Sequence, residues 1–101
     1  DVPTYEPKLL VQKQMDAART ADALRAAHAA LNSTEEWTAG ELEGQLRALV
    51  ESISVKPGQL FGTIRVAVSG RTVAPPLFDT LAALGRERSL ARIAAAAAAL
   101  E

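Results

Sequence analysis

The 101-residue sequence contains no cysteine and only one histidine. A disulfide framework and thiolate chemistry are therefore excluded, and zinc finds no Cys/His ligand set. Aromatic side chains are scarce: Tyr5, Trp37, Phe61 and Phe78 are all there are. No apolar run reaches the roughly 18 residues that cross a bilayer. The opening DVPTYEPKLL has neither a signal-peptide pattern nor an initiator methionine. The chain reads as a piece of a longer protein, cytoplasmic in setting, and Leu100-Glu101 fits either native sequence or a cloning remnant.

What the sequence does have is alanine and leucine. Apolar residues make up 49% of it, and a core so rich in alanine suits closely packed helices rather than sheets. The length is that of one domain. The net charge of −1 hides an asymmetry. Residues 1–55 carry five basic against nine acidic side chains, a net −4, and residues 56–101 carry six against three, a net +3. A basic half beside an acidic one points to an anionic partner, or to a solvated surface with uneven charge.

Along the chain, PKLLVQKQMDAARTADALRAAHAAL (7–31) reads as one amphipathic helix of about seven turns. Pro7 stands at its first position, and Leu10, Ala17, Leu24 and Leu31 form its stripe. Asn32 suits a left-handed end. Ser33 with Glu36 and Thr38 with Glu41 are capping-box patterns, predicting a short helical turn and then a helix over 38–53. That helix would bury Leu42, Leu46, Leu49, Val50 and Ile53, and SVKPG would end it, with Gly58 permitting a turn. Residues 59–70 carry conflicting signals. Ile64, Val66 and Val68 alternate as in a strand, while Leu60, Ile64, Ala67 and Val68 fit one helical face. A lone strand would leave its backbone groups unpaired, which favours helix. PLFDTLAAL reads as a compact helix closed by Gly85. The last helix, RERSLARIAAAAAAL, would pack through Leu90, Ile93, Ala94, Ala97 and Leu100. The fold class is all-α, a compact cage-like bundle of about five to six helices in one domain over residues 1–101.

No catalytic constellation is present. His28 lies on a helix stripe and reads as a packed or boundary residue, Glu35 and Glu36 as helix-start carboxylates, and Trp37 as a plug for the core. SGRTVAPP has one glycine and no lysine, so it is no phosphate-cradling P-loop. The same stretch nonetheless sets Arg65 and Arg71 about a proline-stiffened loop. Arginine offers a planar fork of donors suited to phosphates and base edges, and single-stranded RNA is read through splayed bases. The bland alternative is a helix–loop–helix corner with solvated arginines.

At this stretch, LFGTIRVAVSGRTVAPPLFDTLAALGRERSLARI resembles the end of bacterial glutamyl-tRNA synthetases. Arg65, Ala67, Ser69 and Gly70, then Pro75, Leu77 and Phe78, then Leu84, Gly85, Arg86, Glu87 and Arg88, and finally Arg92 and Ile93 follow that family's order. YEPKLL is similar to the family's Tyr-(Asp/Glu)-Pro-Lys segment, and Trp37 falls where an aromatic is common. The resemblance implies a helical, cage-like anticodon-binding domain, and so a helix at 59–70. It implies a parent ligase that joins glutamate to its tRNA with ATP and magnesium ion, and whose ATP site lies in a domain absent here. This piece would hold no cofactor or metal and catalyse nothing by itself. Its partners would be the anticodon loop of glutamate tRNA and the upstream synthetase domains in cis; it would be a monomer and no membrane protein. By position, Arg65 matches the arginine that reaches the first and middle anticodon bases. Ala74, Pro75 and Leu77 match the loop that cups them, Ala74 standing where other members have threonine. Arg71 lies in the variable part and suits a phosphate by its charge. The competing reading is a helical protein–protein interaction module with no RNA role.

Overall fold

In a computed structural model the described residues are 2–72 and 76–101. A 3-10 turn, Pro7–Leu10, leads into five helices: α1 (Ala17–Asn32), α2 (Ala39–Ile53), α3 (Pro57–Ser69), α4 (Leu77–Leu84) and α5 (Arg86–Ala99). Among the described residues there is no strand, so the all-α expectation holds. One cluster of buried side chains joins all five helices, with Leu24, Leu31, Leu42, Leu46, Leu60, Ile64, Leu81 and Ile93 fully enclosed.

The single helix expected over 7–31 is instead broken between Leu10 and Ala17. The break is made by side chains that take the backbone's partners. Gln12 Nε2 donates to the carbonyls of Leu9 (3.1 Å) and Leu10 (3.2 Å), and Gln59 Nε2 donates to the carbonyl of Lys13 (3.0 Å). Gln14 turns left-handed at φ 66°. Asp16, extended, then accepts from the amide of Arg19 at 2.8 Å and starts α1 as its N-cap. Gly62 makes room for this crossing, because a Cβ there would lie 2.5 Å from Gln12 Oε1. Leu10 still reaches the core, fully buried.

Other local expectations shift for similar reasons. α1 ends without a left-handed residue, and its C-cap Ser33 stays right-handed. The Ser33 hydroxyl donates back to the carbonyl of Ala30 (2.9 Å), so Ser33 closes α1 and caps no turn over 33–37. Thr38 does cap α2, accepting from the amide of Glu41 at 3.3 Å. The bend before α3 falls on Ser54 (φ 58°), and Gly58 lies inside the helix that Pro57 begins. On α5, Ala94 faces solvent, while Ser89 and Ala96 join Ile93 and Ala97 inside. α5 lies mainly along α1, where Ala23, Ala27, Ala96 and Ala97 are buried and permit close approach.

α3 explains the conflicting pattern of residues 59–70. Leu60, Thr63, Ile64, Val66, Ala67 and Val68 are all buried, so the helix is enclosed on most of its circumference and lacks a clean polar stripe. Phe61 and Arg65 occupy the less enclosed side.

The ends of α1, α4 and α5 meet at Arg86. Its Nη1 donates to the carbonyls of Leu31 (3.3 Å) and Asn32 (3.0 Å), and its Nη2 to that of Thr34. The guanidinium also sits 5.1 Å from the centre of the Trp37 ring. Trp37 Nε1 in turn donates to the carbonyl of Leu81 at 2.7 Å, the same oxygen that accepts from the amide of Gly85 at 3.1 Å. A cation thus faces the negative end of α1 while meeting carbonyls left over by the helix. Arg86→Ala is expected to lower unfolding stability by about 2 kcal/mol or more, the scale of losing charged hydrogen bonds to carbonyls left unpaired. Arg86→Lys should recover less than half of this, since an ammonium cannot reach spread carbonyls and stack at once. Urea unfolding midpoints at unchanged slope check both.

Candidate nucleic-acid interface

α3 ends at a corner where the carbonyls of Arg65, Val66 and Val68 all find partners. The amide of Gly70 donates to the carbonyl of Val66 at 2.7 Å, and the Ser69 hydroxyl donates to that of Arg65 at 2.6 Å. Arg92, from α5, donates through Nη1 to the carbonyl of Val68 at 2.7 Å. Gly70 is left-handed (φ 74°), and the amide of Arg71 then bonds the Ser69 hydroxyl at 3.2 Å. Residues 3–5 lie against this corner: a Cβ on Gly70 would be 3.1 Å from Pro3 Cβ and 3.7 Å from a ring carbon of Tyr5.

Two arginines stand at this corner with different exposure. Arg65, one turn before the end of α3, is half-buried, and Arg71, just past Gly70, is exposed. Neither guanidinium has a hydrogen bond or ion pair among the described residues. Arg86 and Arg92, similar in sequence terms, are engaged with helix-end carbonyls. Of the other expected site residues, Ala74 and Pro75 lie outside the described residues. Leu77 is 4% exposed, so its side chain belongs to the core and anchors the first turn of α4 rather than offering an open apolar surface.

Beside Arg65 the structure brings together side chains that sequence reasoning did not group. Phe61 meets Phe78 edge to face, with centroids 5.4 Å apart at 84°. Arg47, from α2, lies 5.4 Å from the Phe61 centroid. The spacing of Phe61 and Arg65, four apart on one helix, was a usable signal; the approach of Arg47 from another helix was not. Hollows elsewhere include one of about 320 Å³ bordered by Lys13, Lys56 and Gln59, and one of about 250 Å³ between α1 and α5 bordered by His28 and Ile93. Neither borders Arg65. Among the described residues no three acidic or histidine side chains gather as a metal site, and no helix is long and apolar enough to cross a membrane. The arrangement offers donors, positive charge and aromatic rings outside the hollows named above, which suits an unpaired nucleic-acid strand better than a small molecule.

The anticodon binding domain family matches residues 1–97. The chain is 63% identical over 98 residues to the glutamate–tRNA ligase of Chloroflexus aurantiacus, covering 97% of this chain and 20% of that protein. It is 62% identical over 100 residues to the glutamate–tRNA ligase of Roseiflexus sp. strain RS-1, covering 99% and 20%. With that of Mycobacterium marinum it shares 51% over 74 residues, covering 72% and 15%. The chain thus spans about a fifth of the length of the first two relatives.

Burial pushes the Tyr5 phenol above its ordinary pKa of 10.0. Tyr5 is the only tyrosine, so its alkaline absorbance change reads this corner alone. The midpoint should lie above the ordinary value in the folded protein and return to it in denaturant. Because the folded phenol holds its proton longer, the contribution is fully present below the unfolded pKa and is lost as pH rises toward the folded one. Gly70→Ala places a side chain at positive φ against Pro3 and should cost about 1–2 kcal/mol, read as a fall in melting temperature.

Proposed function

The chain belongs to the anticodon binding domain family, and on that premise we propose that it is the C-terminal part of a glutamate–tRNA ligase and holds the anticodon loop of glutamate tRNA. One observation carries the residue assignment: Arg65 is half-buried yet its guanidinium has no protein partner among the described residues. A guanidinium that reaches solvent without a protein partner, on a stem packed beside the core, is free to meet an anionic, acceptor-rich ligand.

In this reading Arg65 directs its fork of donors at the edges of the first and middle anticodon bases. Arg71, exposed beyond Gly70, meets a phosphate. Ala74 and Pro75 cup the bases mainly with backbone groups, and Leu77, seated in the core, fixes the end of that loop. The parent ligase joins glutamate to tRNA with ATP and magnesium ion, both handled by its other domains. This part takes no cofactor. It acts in cis with the preceding domains, as a monomer in the cytoplasm. The similarity to named ligases over nearly the whole chain supports this reading, as does the net positive charge of residues 56–101.

Aminoacylation by the full-length ligase on tRNAs altered at each anticodon base tests it. Arg65→Ala should cost ~1–3 kcal/mol of discrimination at the first or middle base. Arg65→Lys should restore little. Arg71→Ala should weaken all tRNAs alike and reduce the salt slope by about one. Equal, base-independent losses for both arginines would assign base reading elsewhere. A correctly folded chain that neither binds the loop at low salt nor affects charging would be a protein-docking module instead.

A further inference from the structure

We propose that the Arg47 guanidinium, backed by the ring of Phe61, is a stacking platform for an unpaired base of the bound RNA, next to but separate from the Arg65 contact. This rests on the anticodon-loop reading above. Phe61 precedes Arg65 by one turn of α3, so the two share a face. The opposite side of α3, with Leu60, Thr63, Ile64, Val66, Ala67 and Val68, is buried in the core. The Phe61 and Phe78 rings meet edge to face with centroids 5.4 Å apart, which restrains the Phe61 ring. Arg47 Cζ sits 5.4 Å from its centroid.

Arg47 is itself held from a second direction. Its Nε donates to Glu43 Oε2 at 2.8 Å, one turn back on α2, while 57% of the side chain stays exposed. A surface pair at this spacing adds only a few tenths of a kcal/mol to a helix, so stability gives little reason to hold the group over a ring. The ring and the carboxylate restrain the guanidinium in advance, which lowers the ordering cost when a flat ligand lands on it. Bases stack on arginine planes as they do on aromatic rings, with little regard to sequence. The chemistry also separates this role from phosphate binding. Glu43 balances the Arg47 charge locally, so the platform should respond weakly to salt, unlike Arg71.

The test uses the full-length ligase and glutamate tRNA carrying 2-aminopurine, one position at a time, at the unpaired loop positions outside the anticodon. One position should lose fluorescence on binding, as stacking quenches it. Arg47→Met keeps the stem and removes the plane; it should abolish that quench and weaken binding about tenfold with an unchanged salt slope. Phe61→Leu, checked for wild-type helicity and melting, should reduce the same quench. The proposal is overturned if no position is quenched, or if Arg47→Met matches wild type in quench and affinity. It is equally overturned if Arg47→Met lowers the salt slope by about one, which marks a phosphate contact. Persistent anticodon discrimination by the wild-type ligase in these cases would leave the anticodon-loop reading standing. Wild-type indifference to the anticodon overturns both.

Discussion

The gathering of helix ends at Arg86 is the interaction on which the rest of the bundle depends. A helix leaves its last carbonyls without partners, and burying that end requires donors from elsewhere. Arg86 supplies them to α1 and the residues just after it, from the first position of α5. Trp37 lies against the same guanidinium and donates to the end of α4. The joint between α4 and α5 is a single residue, Gly85. A short joint leaves little freedom in the angle between those helices. Once Arg86 holds the end of α1, the angle is set against the long α1–α5 contact.

With that frame in place, α3 is trapped at the centre and only a narrow edge of it remains outside. Phe61 and Arg65 occupy that edge, and Arg71 follows past the helix end. Two of the three arginines of α5, Arg86 and Arg92, are taken up by the fold. Arg92 is drawn to the carbonyl of Val68 and Arg86 to α1. The division has a physical basis: carbonyl-rich helix ends lie within reach of Arg86 and Arg92, whereas Arg65 projects from mid-helix, where the carbonyls are already bonded. The same corner is closed from the other side by Pro3 and Tyr5 against Gly70. The beginning and the middle of the chain therefore share responsibility for where Arg65 and Arg71 sit.

Much of this was legible in sequence, and the misses are instructive. The helices α2, α4 and α5 follow from their apolar spacing, and the start of α2 from Thr38. The broken first helix was not legible: Gln12 and Asp16 act on neighbouring backbone, but the bond that holds the carbonyl of Lys13 comes from Gln59, far along the chain. The ambiguity of residues 59–70 came from burial on most sides, which erases the polar stripe that marks an ordinary surface helix. Ala94 and Ala96 cannot be told apart within a run of six alanines; only the crossing with α1 decides which faces inward. Arg65 could be nominated from residue type and from the family order of LFGTIRVAVSG, and Arg71 from its charge; that Arg86 and Arg92 are consumed by helix-end carbonyls could not be read from the sequence.

The sequence by itself determined the class of the protein: alanine-rich amphipathic segments can bury themselves only against other helices, and the ordered motif from Arg65 to Ile93 carries the family. The tertiary structure decided which cations were left over. Every arginine carries the same fork of donors. Whether that fork is consumed by the fold or presented to a ligand depends on which carbonyls and rings lie within about 3–5 Å of it, and those neighbours arrive from helices far apart in the chain.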